Sequence, residues 1–210
     1  MRLILTSTSP RRKELLALLG RPFEMCAPSF IERLDSRRPA EEQAREFAFK
    51  KADSCSPSFP EDLLVGSDTV IDLDNEVIGK PRDHADAESL LRRLMGREHL
   101  ICTAVAVVCA RRGIRDIATE TVRVRMARWD DRQVSAYLRT GEGMGKAGAY
   151  SIQGAAGDLI ERLGGDFTAA VGLPLRLLAS MLAGRGLGPL VDTDMLYRTR
   201  PYPNWNRFGS

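Results

Sequence analysis

Three short segments carry more ionisable and hydroxyl side chains than a packed domain needs. The first, TSTSPRRKELL from residue 6, places hydroxyl groups and two arginines where a strand passes into a helix. Free N–H groups at a helix start and guanidinium groups both favour anions, so the turn contains candidate phosphate ligands. These candidates are Ser7, Ser9, Arg11 and Arg12. The segment fits a phosphate site and a solvated basic turn equally well, and it lacks the GxxxxGK[ST] pattern of a P-loop.

The second segment is GSDTV, which GKPRD follows after a hairpin. Asp68 interrupts an apolar strand, where a carboxylate is costly unless it is paired, bound to a metal or open to a cleft. A strand-end aspartate that caps a neighbouring turn is the alternative. Lys80 could return beside Asp68 across the hairpin, although a solvated turn lysine is the simpler interpretation of that residue alone.

The third segment is KAGAYSIQG, in which Lys146, Tyr150 and Gln153 stand among small residues. Glycine and alanine allow a ligand or another backbone to approach closely, and a glutamine amide can read a base edge through its donor and acceptor. By itself, the segment favours a bend that needs small residues. Glu32 and Lys51 are lesser candidates, because a lysine on the apolar face of a helix often only lays its stem along that face.

Carboxylates and several cations without a histidine partner indicate a polyphosphate substrate that is handled with a divalent metal ion. Carboxylate oxygens suit Mg²⁺ or Mn²⁺, which neutralise phosphate charge and activate a water molecule. The chain has only two histidines, His84 and His99, which we interpret as surface or helix-end residues. A serine or cysteine nucleophile with a histidine base is therefore poorly supported, and so is a zinc site of the usual spacing.

The overall composition is typical of a globular protein without a general affinity for nucleic acid. The formal net charge is +3 for 210 residues, which is too small to indicate a nucleic-acid polycation. Aromatic residues do not interleave with the basic residues near SPRR, as stacking on single strands would require. We expect a cytoplasmic protein with four reduced thiols and no membrane association, because neither a signal peptide nor a run of eighteen apolar residues is found.

Helix and strand patterns occur without strict alternation, which predicts a mixed α/β domain. The predicted strands cover residues 3–7, 63–73, 100–110, 121–129 and the DLIERL segment, with an Asp74-Asn75 hairpin turn. The predicted helices begin near Ser9, Pro39, Asp83, Asp131 and Pro174. The tail from Arg185 shows no periodicity and is expected either to be loose or to pack as an arm.

The motifs LILTSTSPRRKELLALLG, VGSDTVI…IGKPRD, GKAGAYSIQG and VGLPL resemble, in order and spacing, the Maf family of nucleoside triphosphate pyrophosphatases. The resemblance extends over nearly the whole chain apart from the tail. It implies an elongated, two-lobed α/β fold related to the inosine triphosphate pyrophosphatases, with a central twisted mixed sheet and a cleft between the lobes. We accordingly expect one two-lobed domain over residues 1–184 and a tail over 185–210, and the family suggests a homodimer.

The same resemblance implies divalent-metal-dependent hydrolysis between the α- and β-phosphates, which yields a nucleoside monophosphate and pyrophosphate. Asp68 matches the family's catalytic proton acceptor. The other matching polar positions are Ser7, Arg11, Glu32, Lys51 and Lys80. Our hypothesis is that Asp68 binds the metal ion (Mg²⁺, Mn²⁺ or Co²⁺) or takes the proton of the attacking water, with Glu32 as a second metal ligand. Arg11, Lys51 and Lys80 would stabilise phosphate charge.

Three positions distinguish the branches of the family by substrate. Members that resemble the dTTP/UTP type carry arginine after SP, threonine after the catalytic aspartate and glutamine in the IQG segment, as in Arg11, Thr69 and Gln153. The 7-methyl-GTP branch usually has tryptophan, glutamine and glutamate there. A glutamine amide can pair with a uracil or thymine edge, whereas a glutamate accepts from guanine donors. The chain departs from the family at Gly145, where many members have aspartate, and at Ser151, which replaces a common glycine.

The predicted function is hydrolysis of the nucleoside triphosphates dTTP and UTP, and the sequence does not separate these from modified pyrimidine nucleotides handled for house-cleaning. One alternative is the same chemistry on another nucleotide such as 7-methyl-GTP. A second alternative is a non-enzymatic regulatory protein that acts in cell division or septum formation through a partner or nucleic acid. Salt-dependent binding to single strands without metal-dependent release of pyrophosphate would favour the second.

Overall fold

A computed structural model describes residues 1–208, and its strands join into one mixed sheet. The strands are β1 (Leu3–Thr6), β2 (Glu24–Cys26), β3 (Leu63–Leu73), β4 (Glu76–Ile78), β5 (Glu98–Cys109), β6 (Ile114–Met126) and β7 (Ile160–Gly164). The helices are α1 (Pro10–Ala17), α2 (Ala40–Cys55), α3 (His84–Leu94), α4 (Asp131–Arg139), α5 (Phe167–Val171), α6 (Leu175–Ala183) and α7 (Thr193–Thr199). The expected mixed α/β class is confirmed.

The sheet runs in the order β2-β1-β3-β5-β6-β7, with β4 paired to β3. β1 is parallel to both β2 and β3, and the remaining pairs are antiparallel. β3 spans residues 63–73 as predicted, and the predicted turn at Asp74 and Asn75 has positive φ angles of 54° and 68°. Both angles at φ > 0 are what a two-residue turn of type I′ requires. β3 pairs in parallel with β1 and antiparallel with β4 and β5, so the parallel and antiparallel parts of the sheet meet at this strand.

Each face of the sheet has its own hydrophobic core, because successive side chains of a strand point to opposite faces. Leu5 and Leu63 belong to the larger core, which also takes residues from α1, α3, α4, α5 and α6. Ile4 and Leu64 belong to the smaller core, which α2 covers with a row of alanines and Phe47. The small side chains of α2 let that helix approach the sheet closely.

α2 packs closely against the sheet at Gly66 in β3. A Cβ atom on Gly66 would lie 2.1 Å from the carbonyl oxygen of Ala48 and 2.9 Å from the amide nitrogen of Ala52. Both are backbone atoms, so no side-chain rotation could make room. This contact brings Lys51 of α2 beside Asp68, two residues further along β3.

The cysteines only partly follow the sequence expectation. Cys102 and Cys109 are buried free thiols, as small apolar residues in a core strand should be. Cys26 and Cys55, in contrast, form a disulfide, so the prediction of four reduced thiols is wrong for this pair. Their separation of 29 residues resembles no metal or redox motif, and only the fold brings the end of β2 to the end of α2.

The tail contains α7 and a 3₁₀ turn, Trp205–Arg207, both packed on the rest of the chain. Trp205 is only 3% exposed, and its ring stacks on Phe167 with a centroid distance of 5.7 Å. The sequence analysis missed α7 and also the short elements α5 and β2, because none is long enough to show a periodic pattern. No helix within residues 1–208 is long and apolar enough to cross a membrane.

We expect Gly66→Ala to lower the free energy of unfolding by about 2 kcal/mol, because the new methyl group forces α2 away from β3. Urea unfolding monitored by circular dichroism measures the change. Gly184→Ala is a matched control, since Gly184 has a helical φ of −61° and a Cβ there would keep 3.7 Å from its nearest neighbour. Equal unfolding midpoints for the two variants would contradict the prediction.

Candidate active site

A cleft of about 580 Å³ collects nearly all the candidate functional residues of the sequence analysis. The cleft is lined by ten residues that the sequence analysis proposed for the site: Ser7, Arg11, Arg12, Glu32, Lys51, Asp68, Thr69, Lys80, Lys146 and Gln153. They come from α1 and the turn before it, α2, β3, the loop between α4 and β7 and the segments that precede α2 and follow β4, which are far apart in sequence. The sheet explains how they meet: Leu5 of β1 is opposite Val65 of β3, so β1 ends beside the first half of β3, shortly before Asp68. Crevices outside strand ends are common ligand sites in α/β folds.

Two carboxylates share one buried ammonium group at the centre of this cleft. Lys51 Nζ contacts both Asp68 Oδ1 and Glu32 Oε1, and the side chains of Lys51 and Asp68 are 8% and 5% exposed. Lys80 Nζ lies 2.7 Å from the other carboxylate oxygen of Glu32. From the sequence, Lys80 was either a neighbour of Asp68 or a solvated turn lysine, and its partner in the structure is Glu32. The four charges form a chain, Asp68–Lys51–Glu32–Lys80.

The surroundings shift the pKa values of the two carboxyl groups in opposite directions. Burial raises the pKa of Asp68 above its usual range, although Lys51 and Arg12 attract its charged form. Burial acts in the same sense on Glu32, but attraction and hydrogen bonds from Lys51 and Lys80 outweigh it and lower the pKa of Glu32 to about 2. Glu32 is therefore a fixed anion at neutral pH, whereas Asp68 is the carboxylate better suited to accept a proton.

The strand-to-helix turn after β1 leaves one guanidinium group unengaged. Ser9 stands at the N-cap position of α1 without a side-chain capping hydrogen bond, and Pro10 begins the helix. Ser7 Oγ accepts a 3.1 Å hydrogen bond from the Ser9 N–H. Within residues 1–208, no hydrogen bond or ion pair engages the Arg11 side chain. Burial and the neighbouring Arg12 lower the pKa of Arg11, as expected for a cation that lacks a close anionic partner. An anion in the cleft would supply that partner.

Arg12 lines the same cleft but binds protein groups. Its Nε donates to the Gly172 carbonyl oxygen at 2.9 Å, and its Nη2 lies 3.3 Å from Thr69 Oγ1. The Thr69 hydroxyl also lies 3.0 Å from the Thr103 hydroxyl, which donates to the Ala169 carbonyl oxygen. Arg12 thus ties α1 to β3 and to the segment after α5, an engagement that the sequence did not indicate.

The loop between α4 and β7 carries the last two candidates. Lys146 Nζ contacts the carbonyl oxygen of Glu142, and Glu142 Oε2 accepts a 3.0 Å hydrogen bond from the Ala155 N–H. The Gln153 side chain, by contrast, has no hydrogen-bond partner within residues 1–208. Its amide therefore remains available to a ligand in the cleft. Sequence analysis did not propose Glu142, although the glycine-rich segment around it was a signal of an unusual loop.

The interpretation of His99 as a surface residue is wrong. His99 is 2% exposed, and its Nε2 lies 2.7 Å from the hydroxyl of Tyr150, which lines the cleft. Burial lowers the pKa of His99 to about 4, so the ring is neutral at pH 7. The alternation of β5 alone could not reveal this contact, because Tyr150 comes from a distant loop.

The sequence analysis proposed two carboxylates of the cleft as metal ligands. Within residues 1–208, no group of three or more His, Cys, Asp or Glu side chains is arranged to hold a metal. The two carboxylates, Asp68 and Glu32, both contact the ammonium of Lys51, which occupies the point between them. Mg²⁺ is commonly held by one or two carboxylates, with substrate phosphates and water as its other ligands.

A family model and the named relatives of this chain agree with each other. The model of the family described as Maf-like protein matches residues 2–185. The dTTP/UTP pyrophosphatase of Symbiobacterium thermophilum is 43% identical over 185 residues, which cover 88% of this chain and 94% of that protein. The dTTP/UTP pyrophosphatase of Pelotomaculum thermopropionicum is 38% identical over 90% of this chain and 98% of its own. The solved structure of the Staphylococcus aureus Ham1 protein covers 60% of this chain and 72% of its own, at 12% identity and a TM-score of 0.41.

We expect Lys51→Met to lower the free energy of unfolding by about 3 kcal/mol, because it leaves the Asp68 carboxylate buried without its main cation. Asp68→Asn should cost less, since Lys51 keeps Glu32. The double variant should regain most of the loss, because Glu32 still has Lys80. Urea unfolding of the wild type, both single variants and the double variant measures the coupling. If the loss of unfolding free energy in the double variant equals the sum of the losses in the two single variants, Lys51 and Asp68 do not depend on each other and the prediction is contradicted.

Proposed function

The chain belongs to the Maf family, and we propose that it is a nucleoside triphosphate pyrophosphatase that acts on dTTP and UTP. The observation that carries the proposal is the cleft in which a buried carboxylate, several cations and an amide without a protein partner converge. Relatives with that named activity, aligned over most of both chains, support the choice of substrates.

The phosphate groups would lie among the cations of the cleft. Arg11 has no partner among residues 1–208, so binding an anion breaks no ion pair of that residue there. Lys80 is half exposed and held by Glu32, so it can approach a phosphate oxygen at the open side of the charge chain. Fixed cations of this kind stabilise the charge that develops on the leaving pyrophosphate, and such electrostatic stabilisation commonly contributes more to catalysis than any other effect.

Hydrolysis needs a group that takes a proton from water. We assign this role to Asp68, because its raised pKa makes the carboxylate a better proton acceptor. The water oxygen would form a bond to the α-phosphorus, its proton would pass to Asp68, and the bond from the α-phosphorus to the bridging oxygen would break. In the alternative role for Asp68, its carboxylate would instead hold a divalent ion (Mg²⁺, Mn²⁺ or Co²⁺) together with Glu32 and the substrate, and the ion would neutralise phosphate charge. Pyrophosphate leaves with the bridging oxygen.

The nucleobase would be read by the loop that carries Gln153. A carboxamide offers one acceptor and two donor hydrogens, which matches the alternating acceptors and donor of a uracil or thymine edge. Within the described residues, the Gln153 amide is free for this task. The Thr69 hydroxyl already contacts Thr103 and Arg12, so Thr69 would contribute by its small size rather than by a base contact.

Location and assembly remain predictions. We expect a cytoplasmic protein that forms a homodimer and has no stable nucleic-acid partner. The Cys26–Cys55 disulfide runs against the cytoplasmic expectation, because glutathione and thioredoxin keep most cytosolic thiols reduced.

We predict that Asp68→Asn lowers kcat for dTTP by about a hundredfold or more, because an amide cannot take the proton of the attacking water. Release of pyrophosphate measures the rate, and circular dichroism checks that the fold is kept. Asp72→Asn, on the same strand but outside the cleft lining, is the matched control. Near-normal turnover by Asp68→Asn would refute the assignment.

A nucleotide panel tests the proposed function directly. Pyrophosphate release is measured for dTTP, UTP, pseudo-UTP, 5-methyl-UTP, dCTP, GTP and 7-methyl-GTP with Mg²⁺, Mn²⁺ and Co²⁺. We expect the uracil and thymine nucleotides to have the highest kcat/KM, as the named activity of the relatives suggests, with the Gln153 amide pairing to the base edge. A preference for 7-methyl-GTP would overturn the argument from Arg11, Thr69 and Gln153. No hydrolysis of any nucleotide would overturn the proposed function.

A further inference from the structure

The tail of the chain returns to the loop that carries Gln153, although residues beyond 185 lie outside the family match. Asn204 Nδ2 donates hydrogen bonds to the carbonyl oxygens of Ile152 at 3.0 Å and Gly154 at 2.9 Å. These two carbonyl groups belong to the residues directly before and after Gln153. One amide group therefore holds the backbone on both sides of the residue to which we assigned base recognition.

The part of the tail that carries Asn204 is packed against the core. Trp205 stacks on Phe167 and forms a T-shaped contact with Tyr197 at a centroid distance of 5.0 Å. The Tyr197 hydroxyl donates to Asp166 Oδ2 at 2.7 Å. Aromatic contacts and a charge-assisted hydrogen bond of this kind fix the tail against the core. Asn204 is thus presented from a rigid element rather than from a loose end.

A second tail contact reaches the other side of the proposed substrate site. The Tyr202 hydroxyl donates to Glu14 Oε2 at 2.7 Å, and Glu14 lies on α1, one turn after Arg11. The tail therefore contacts both the helix that carries the unengaged guanidinium and the loop that carries the unengaged amide. These are the two groups assigned to phosphate and base.

The local backbone is adapted to the Asn204 contact. Asn204 has a φ of 64°, a left-handed conformation that asparagine adopts more readily than most residues. A Cβ on Gly157 would lie 2.4 Å from Asn204 Nδ2 and 2.6 Å from the Ile152 carbonyl oxygen. Any side chain at position 157 would displace the amide, so Gly157 and Asn204 are matched to each other.

The Gln153 loop needs such support because it has little structure of its own. Gln153 lies between two 3₁₀ turns, Ala147–Ala149 and Ala155–Leu159, and outside every strand of the described chain. Glu142 holds the loop at the Ala155 N–H, and Asn204 holds it at the two carbonyl groups around Gln153. Ordering a loop before its ligand arrives lowers the entropic cost of binding.

We propose that Asn204 is a positioning residue for pyrimidine recognition, which acts through the Ile152 and Gly154 carbonyl groups to hold the Gln153 amide ready for the base. The inference rests on the proposed function. It assigns to the tail a role in substrate selectivity that the matched family domain does not contain. The hydrogen bonds of Asn204 go to this loop and not to the charged residues around Lys51. We therefore expect the rate of the chemical step to depend only weakly on Asn204.

Two variants remove the contact in different ways. Asn204→Asp keeps the shape and tolerates a left-handed φ, but places a carboxylate oxygen against two carbonyl oxygens. Asn204→Gly keeps the backbone conformation and deletes the side chain. The matched control is Arg198→Ala on α7, whose exposed side chain pairs with Asp192 of the tail. We expect both Asn204 variants to raise KM for dTTP and UTP about tenfold, from the loss of two hydrogen bonds, with kcat within about twofold of the wild type.

Selectivity and amide exchange provide the decisive measurements. The ratio of kcat/KM for UTP to that for GTP should fall about tenfold in both Asn204 variants and stay unchanged in Arg198→Ala. Hydrogen exchange at residues 151–155 should become faster in both Asn204 variants and not in Arg198→Ala. Unchanged KM, selectivity and exchange would overturn the proposal, as would an equal fall of kcat for every nucleotide with KM unchanged. A wild-type protein that hydrolyses no nucleotide would overturn the proposed function and the recognition role, and exchange would still decide whether Asn204 holds the loop.

Discussion

The buried ammonium of Lys51 between two carboxylates is the constraint on which the rest of the cleft depends. An ion of either sign in a core is expensive unless its partners are held close. Lys51 reaches Asp68 only because α2 packs tightly on β3 at Gly66, where a single methyl group would collide with the helix backbone. Packing on one face of the sheet therefore sets the electrostatics of the cleft, and the raised pKa of Asp68 follows from the same burial.

Around this centre, the cleft separates charges that are already paired from groups that are left for a ligand. Lys51 and Lys80 neutralise Asp68 and Glu32, and Arg12 is occupied by the Gly172 carbonyl and Thr69. Arg11 and the Gln153 amide have no partner within the described part of the chain. A ligand with an anionic end and a hydrogen-bonding edge satisfies both, which is the physical description of a nucleotide.

The sequence predicted β3 and its hairpin well because alternation, length and turn chemistry all agreed there. It failed for His99, whose flanking residues favour a strand but do not reveal the Tyr150 side chain that covers the ring. It failed for Cys26 and Cys55 because a disulfide depends on the distance between two elements, and sequence spacing does not encode that distance. The tail was left open between a loose end and a packed arm, since its aromatic contacts involve Phe167 and other residues far away in the chain.

What the sequence determined by itself is the chemical inventory: the motifs, their order, the positions of Asp68, Arg11 and Gln153, and the strands and helices with strong periodicity. These follow from local patterns, each of which is complete within a few residues. Only the tertiary structure decided which charges pair, since Lys80 meets Glu32 rather than Asp68 and Arg12 turns to protein groups. Partner choice depends on distances between separate elements, and close packing across the sheet creates those distances only when the whole chain is folded.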